Sequence, residues 1–331
     1  MEIDFFSVLV SVLSLVVLII PGFLLVKLKV LNQSADKIVS GIVLYVCQPM
    51  LMIMSLQKQL DKSFIKNILI VAGLAIVLHA IIIALMYLVV RSKSKDVKLN
   101  CVRFASCFAN VGYMGIPFLQ TLFKDNLAVQ GEILIYCAII IAVFNLITWS
   151  IGVYMISGDK KDINIKKAFL NPTSIAVYIG LAYFLVVGKP IATLGAVGSN
   201  LNLFLSKMMG SMQFLADMVT PLSMMVIGIK LASMNVKELF VEKWAYVTCV
   251  FKLIVFPLIT ILVVAFLPVS QIVKYVLFFT LAMPSASNTV LFSVSFGGDG
   301  KVASIFVLLS TILSVVTIPL MFLVINGVFG I

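Results

Sequence analysis

Charge is scarce in this 331-residue chain: only 11% of residues are charged, thirteen of them acidic, and there is one histidine. Soluble globular domains carry about a quarter charged residues, so an ordinary soluble fold is excluded. One histidine and few carboxylates also argue against an enzyme, which needs a base, an acid or a nucleophile gathered at one face. The five cysteines, Cys47, Cys101, Cys107, Cys137 and Cys249, show no paired short spacing. That excludes a cysteine-built zinc site and a disulfide framework, and free buried thiols are expected. No metal or cofactor is expected, and the Met-rich run Met50, Met52, Met54 reads as adaptable packing.

What the chain has in abundance is apolar surface: 62% hydrophobic residues and a mean hydropathy of +1.20. Runs able to cross a hydrocarbon core of about 30 Å lie near 5–26, 38–57, 66–90, 104–123, 133–156, 171–188, 209–233, 244–267, 272–296 and 302–326. The expected fold is therefore an all-α polytopic membrane protein with ten transmembrane helices. The seventh is the least regular, since Leu201 to Met234 is long for one span and contains Lys207 and Asp217; its outer part is expected at the membrane interface. The start, Met1-Glu2-Ile3-Asp4, lacks a basic leader, so the first helix is expected to be retained.

A formal charge of +11 invites a nucleic-acid reading, but its placement argues otherwise. Counting alternate connections, sixteen Lys and Arg fall on one side, around 27–37, 91–103 (Lys93 and Lys95 among them), 160–167, 230–243 and 301. Seven fall opposite: Lys58, Lys62, Lys66, Lys124, Lys189, Lys207 and Lys274. By the positive-inside rule the richer side is cytoplasmic, placing both termini outside an integral, multi-pass protein of the cell membrane. The partners expected are the bilayer and a small molecule, not nucleic acid.

Features recur between the halves. Pro49 and Pro221 stand 172 residues apart, and His79 and Lys252, the two basic side chains at membrane depth, 173 apart. The fourth and ninth segments, matched on Ala109 and Ala282, are both interrupted, at Asn110-Val111-Gly112-Tyr113-Met114-Gly115-Ile116-Pro117 and Met283-Pro284-Ser285-Ala286-Ser287-Asn288-Thr289. Five helices per half is an odd number, so the repeats are inverted: 1–157, a cytoplasmic linker at 158–170, and 171–331. Proline removes a backbone donor and glycine weakens a helix, so helices 4 and 9 are expected to break and cross at mid-depth. In lipid, broken helices survive only when buried in protein or facing water, and paired breaks in inverted repeats mark a substrate site. The second half of each broken helix would aim its positive N-terminal end at that site, favouring a carboxylate or another anion.

The expected binding residues are Asn110, Gly112, Tyr113, Gly115, Pro117, Asn145, Pro284, Ser285, Ser287, Asn288 and Thr289, with Gly112 and Gly115 as the place where a crossing backbone would fit. Asn110 and Asn288 lead, because an amide can both donate and accept. His79, Lys252 and Asp217 are candidate charge or coupling residues. Two readings stand for the first two: attracting an anion or carrying a proton, or bonding a carbonyl freed at a break. Asp217 is expected to pair with a lysine near the outer face.

At these residues the chain resembles the auxin efflux carrier family, whose microbial members show an Asn-x-Gly-x-x-Gly-x-Pro pattern like Asn110 to Pro117. Pro49, Pro221, Asn145 to Gly152, Met283 to Asn288, Gly297-Gly298-Asp299 and Thr311 to Pro319 extend the likeness over nearly the whole chain. The resemblance, to a bacterial-type, malate-permease-like member, implies a scaffold of helices 1, 2, 6 and 7 and a mobile domain of helices 3–5 and 8–10. It also implies elevator-type alternating access and a homodimer through the scaffold. Plant members export an indole carboxylate. This chain lacks their Asn-Pro-Asn form and long central loop, so a small carboxylate is the expected substrate. The leading expectation is thus a secondary transporter, exporting small organic anions; alternatives are a sodium- or proton-coupled symporter and, from another class, a membrane small-molecule sensor.

Overall fold

The computed structural model describes residues 3–32, 34–59, 62–91, 96–234 and 236–329, and the described residues are helical apart from connections and one isolated backbone bridge. Met1, Glu2, Lys93, Lys95 and the Lys62 side chain lie outside what is described. The helices are α1 (Phe5–Lys27), α2 (Ala35–Ser55), α3 (Lys62–Val89), α4 (Val97–Cys107), α5 (Ile116–Leu122), α6 (Leu127–Ser157), α7 (Pro172–Val187), α8 (Asn200–Asp217), α9 (Val219–Ala232), α10 (Lys243–Ala265), α11 (Gln271–Ala282), α12 (Asn288–Ser295) and α13 (Gly300–Phe329). Among the described residues eight helices are long and apolar enough to span a bilayer, α8 and α9 counting as one continuous stretch. The interrupted fourth and ninth segments are the pairs α4/α5 and α11/α12, whose pieces are each too short to span alone. The protein is an integral, multi-pass membrane protein.

Proline writes a local signature into three helices. Ahead of Pro49, Pro117 and Pro257 the chain opens into a five-residue π turn, Val43–Cys47, Val111–Gly115 and Phe251–Val255. In each, the residue just before the proline donates its N–H five residues back: Gln48 to Val43, Ile116 to Val111, Phe256 to Phe251. A proline ring clashes with the carbonyl four residues earlier, and widening the turn relieves that clash without losing the helix. A fourth π turn, Thr148–Gly152 in α6, has no proline.

α1 packs on α9 and α13, α7 on α2 and α6, and α4 on α10. The α1/α9 contact is backbone against backbone: a Cβ on Gly22 would collide with the main chain of Met225, and one on Gly228 with Ile19 and Phe23. Small residues are what allow such approach between helices in lipid. On the basic side, Lys98 pairs with Glu242 at 2.7 Å and Lys301 with Glu238 at 2.9 Å, tying the α9–α10 connection to α4 and α13.

The seventh apolar run differs in detail from its sequence expectation. It extends from Asn200 to Ala232, with a single irregular residue, Met218, between α8 and α9. Asp217 is exposed and accepts from Gln213 Nε2 at 2.6 Å, one turn back, in place of the expected lysine. A neutral amide at i−4 is already in reach on the same helix face, whereas a lysine would have to come from another element. All five cysteines are free and buried. Lys58, beyond the end of α2, donates to the Ala128 carbonyl at 2.9 Å; partial burial pulls its amine below the ordinary lysine value, with Glu132 acting in the opposite direction.

Candidate functional site

The two breaks meet. α4 ends at Cys107 and the chain runs extended through Phe108; α11 ends at Ala282 and runs extended from Met283. Ala109 and Ser285 form an antiparallel bridge, in which Asn110 N–H donates to Pro284 O (2.8 Å) and Ala286 N–H donates to Phe108 O (2.9 Å). Each break thus satisfies peptide groups of the other, which is what a bilayer interior demands of non-helical backbone. Beyond the crossing, the Asn110 carbonyl accepts from both Met114 and Gly115 N–H and opens the turn leading into α5. Ser285 N–H is held by Ser310 Oγ of α13 at 3.1 Å. Ser310→Ala would strand that buried amide, so we expect a stability loss of about 1–3 kcal/mol, read as a lower midpoint in thermal unfolding of the detergent-solubilised protein.

The meeting point is shifted from the sequence match. Ala109 faces Ser285, three residues beyond Ala282. The crossing backbone also lies at 108–110, upstream of the glycines expected to receive it. Gly112 instead abuts the Gln48 side chain, and Gly115 the Met283 side chain. The reason is that helical wrapping resumes at Val111, so only the residues before it expose peptide groups sideways.

Beside the crossing is a small cavity of about 50 Å³, room for a few water molecules. Asn110, Gly112, Tyr113, Asn145, Ser287 and Asn288 line it, bringing together six of the expected residues from both breaks and from α6. Asn110, 3% exposed, donates through Nδ2 to Ser287 Oγ at 3.2 Å. Asn145 Nδ2 donates to Ser174 Oγ at 3.0 Å, and the Tyr113 hydroxyl donates to the Ser40 carbonyl at 3.2 Å. Ser285 Oγ and Thr289 Oγ1 are buried with no hydrogen-bond partner among the described residues. Gly115, Pro117, Pro284, Ser285 and Thr289 shape the two breaks without lining the cavity.

Four wall residues escaped the sequence reading: Leu44, Gln48, Asn171 and Thr173. Gln48 carried a readable signal, a buried amide beside Pro49 in an apolar run; Thr173 Oγ1 donates to its Oε1 at 3.4 Å. Two larger cavities adjoin the small one through shared wall residues. One, about 620 Å³, shares Leu44, Asn171 and Asn288 and carries Lys166 and Lys167; Lys167 Nζ sits 5.3 Å from the Trp149 ring centre. The other, about 470 Å³, shares Tyr113, Ser287 and Asn288 and carries Asp36, Lys37 and Lys230.

A crossing of two broken helices, with amides and hydroxyls around a cavity in an apolar bundle, is the geometry of a carrier, and comparison with known proteins agrees. A family model described as membrane transport protein matches residues 7–322. The chain belongs to the auxin efflux carrier family. It is also 24% identical over 313 residues to an uncharacterized transporter of Methanocaldococcus jannaschii, covering 93% of this chain and 96% of that protein. It is a membrane transporter and not an enzyme.

In this carrier His79 and Lys252 are both fully buried. Lys252 Nζ donates to the Leu281 carbonyl at 3.0 Å, a group whose helical donor is lost because α11 stops at Ala282. His79 Nδ1 bonds the Ala75 carbonyl of its own helix at 2.7 Å, and its ring lies among Phe108 and Phe144. Neither side chain lines the small cavity, and Asp217 lies on the exposed surface of α8.

Proposed function

We propose that this protein is a secondary transporter of small organic anions, carboxylates above all, with the crossing as its binding site. The observation that carries the reading is the bridge between Phe108–Asn110 and Pro284–Ala286, which sets amides from both breaks around one cavity. Asn110 and Asn288 supply N–H donors to a carboxylate, and the resumed helix beyond each break turns its positive end toward the site. The cavity favours small substrates, being far below the roughly 300 Å³ at which pockets for drug-sized ligands begin.

Ten transmembrane helices in two inverted repeats, 1–157 and 171–331 with a linker at 158–170, account for the packing. α1 on α9 has its counterpart in α7 on α2, α1 on α13 in α7 on α6, and α4 on α10 in α11 on α3. Such pseudo-symmetry provides two related conformations around one site. We assign α1, α2 and α7–α9 to a scaffold that pairs two copies, and the remainder to an elevator-like mobile unit. The adjoining cavities with Lys37, Lys166, Lys167 and Lys230 face the cytoplasm under the positive-inside rule, leaving both termini outside the cell membrane. These lysines draw anions inward to the site. A negative-inside potential then drives export by about 2.3 kcal/mol per charge per 100 mV.

The test is a thermal-shift screen of mono- and dicarboxylates, malate included, on purified protein, followed by counterflow of each hit in liposomes. Saturable counterflow of at least one carboxylate is expected. Binding without flux would favour a sensor, and flux confined to cations or neutral solutes would overturn the anion assignment.

A further inference from the structure

Where a helix stops, its last carbonyls lose their donors and carry a partial negative charge of about half an elementary charge. At this crossing two helices stop, α4 at Cys107 and α11 at Ala282. In carriers built on broken helices, such carbonyl ends are where coupling cations bind. Neither break contains an aspartate or glutamate to complete a cation site.

The π turn Phe251–Val255 packs against both α4 and α11 and carries Lys252. Its ammonium donates to Leu281 O at 3.0 Å and lies within electrostatic reach of Cys107. No acidic side chain pairs with it; its surroundings are carbonyl ends, Cys107 and His79. His79 commits Nδ1 to the Ala75 carbonyl, and its Nε2 is buried without a hydrogen-bond partner among the described residues. A ring that donates through Nδ1 and leaves Nε2 bare is a neutral imidazole. The crossing therefore holds one cation, and a single positive charge matches two half-charges of opposite sign.

We infer that Lys252 is a tethered cation occupying the carbonyl end of the crossing, in the position a coupling sodium would take, so that the carrier needs no sodium. Lys252 is a positioning residue: it holds the two helix ends together from the face away from the cavity. The inference rests on reading the crossing as the transport site, but its test uses ion-dependent stability and needs no substrate. Either reading can fail while the other stands.

Thermal unfolding of the purified protein in sodium, potassium and choline chloride at matched ionic strength tests it first. The expected midpoints coincide; specific stabilisation by sodium or potassium overturns the inference. Lys252→Met keeps the length and removes the charge. Replacing a buried charge by an apolar isostere is often neutral or stabilising, so a midpoint equal to or above wild type also overturns it. The expected result is a midpoint several degrees lower. In Lys252→Ala, methylammonium or ethylammonium is expected to recover much of the loss and choline none, because only a small ammonium fits the vacated space and donates to Leu281 O. Equal recovery with choline would reduce the effect to ionic strength and overturn the assignment. Should either variant fail to fold, the wild-type ion series still decides.

Discussion

Asn110→Ala and Asn288→Ala are each expected to cost 10- to 100-fold in apparent affinity for the transported carboxylate while leaving the protein folded. The size follows from removing a hydrogen bond to a charged group, about 1.5–3 kcal/mol. Folding survives because the crossing does not depend on the Asn110 side chain. Its N–H donates to Pro284 O, its carbonyl accepts from Met114 and Gly115, and alanine keeps all three bonds. What is lost is the Nδ2 donor, now on Ser287 Oγ, which an entering carboxylate would recruit. Asn288 opens α12 and faces the same cavity. Asn110→Asp sharpens the test, since a carboxylate in place of the amide repels an anion while keeping the shape. Counterflow in liposomes gives the affinity, and size-exclusion profile with thermal midpoint reports folding. Unchanged transport in both alanine variants would remove the crossing from the site.

Gly22→Val and Gly228→Val should be the most destabilising single changes in the bundle. At both positions an added Cβ meets backbone: Met225 for Gly22, Ile19 and Phe23 for Gly228. A side chain can swing aside, but a helix backbone cannot, so α1 and α9 would have to separate along their shared face. Overpacking typically costs 1–3 kcal/mol; alanine at either glycine belongs in about that range, and valine above it. Gly73→Ala in α3 is the control, because nothing lies within 4 Å of its added Cβ. There the helix propensity gain of up to about 1 kcal/mol should make the change neutral or stabilising. Thermal midpoints of all three, with the monodisperse fraction after extraction, decide the matter. A Gly228→Val protein as stable as Gly73→Ala would show that α1 and α9 do not depend on this contact.

Much of the site was readable because the chemistry that breaks helices is local. Pro117 and Pro284 announce the interruptions, and Asn110, Ser287 and Asn288 stand out as polar groups in apolar runs. Gly112 and Gly115 misled: glycine shows where a neighbour can approach, not which neighbour arrives, and the arrivals were the side chains of Gln48 and Met283. Thr173 and Asn171 were invisible as wall residues, since they begin α7 and reach the site only through packing. For Lys252 the sequence left two roles open, and the bond to Leu281 O favours the carbonyl one. His79 instead bonds a carbonyl inside its own helix.

By itself the sequence determined that this chain lies in a membrane, that its segments are helices, and that two of them break. These follow from composition and from steric rules acting over a few residues. Only the tertiary structure decided that Phe108–Asn110 pairs with Pro284–Ala286, that Ser310 holds the Ser285 amide, and that Lys252 caps α11. In lipid every exposed peptide group must find a partner, which is a demand readable from local sequence. Which partner answers it depends on groups as much as 176 residues away, brought together by packing.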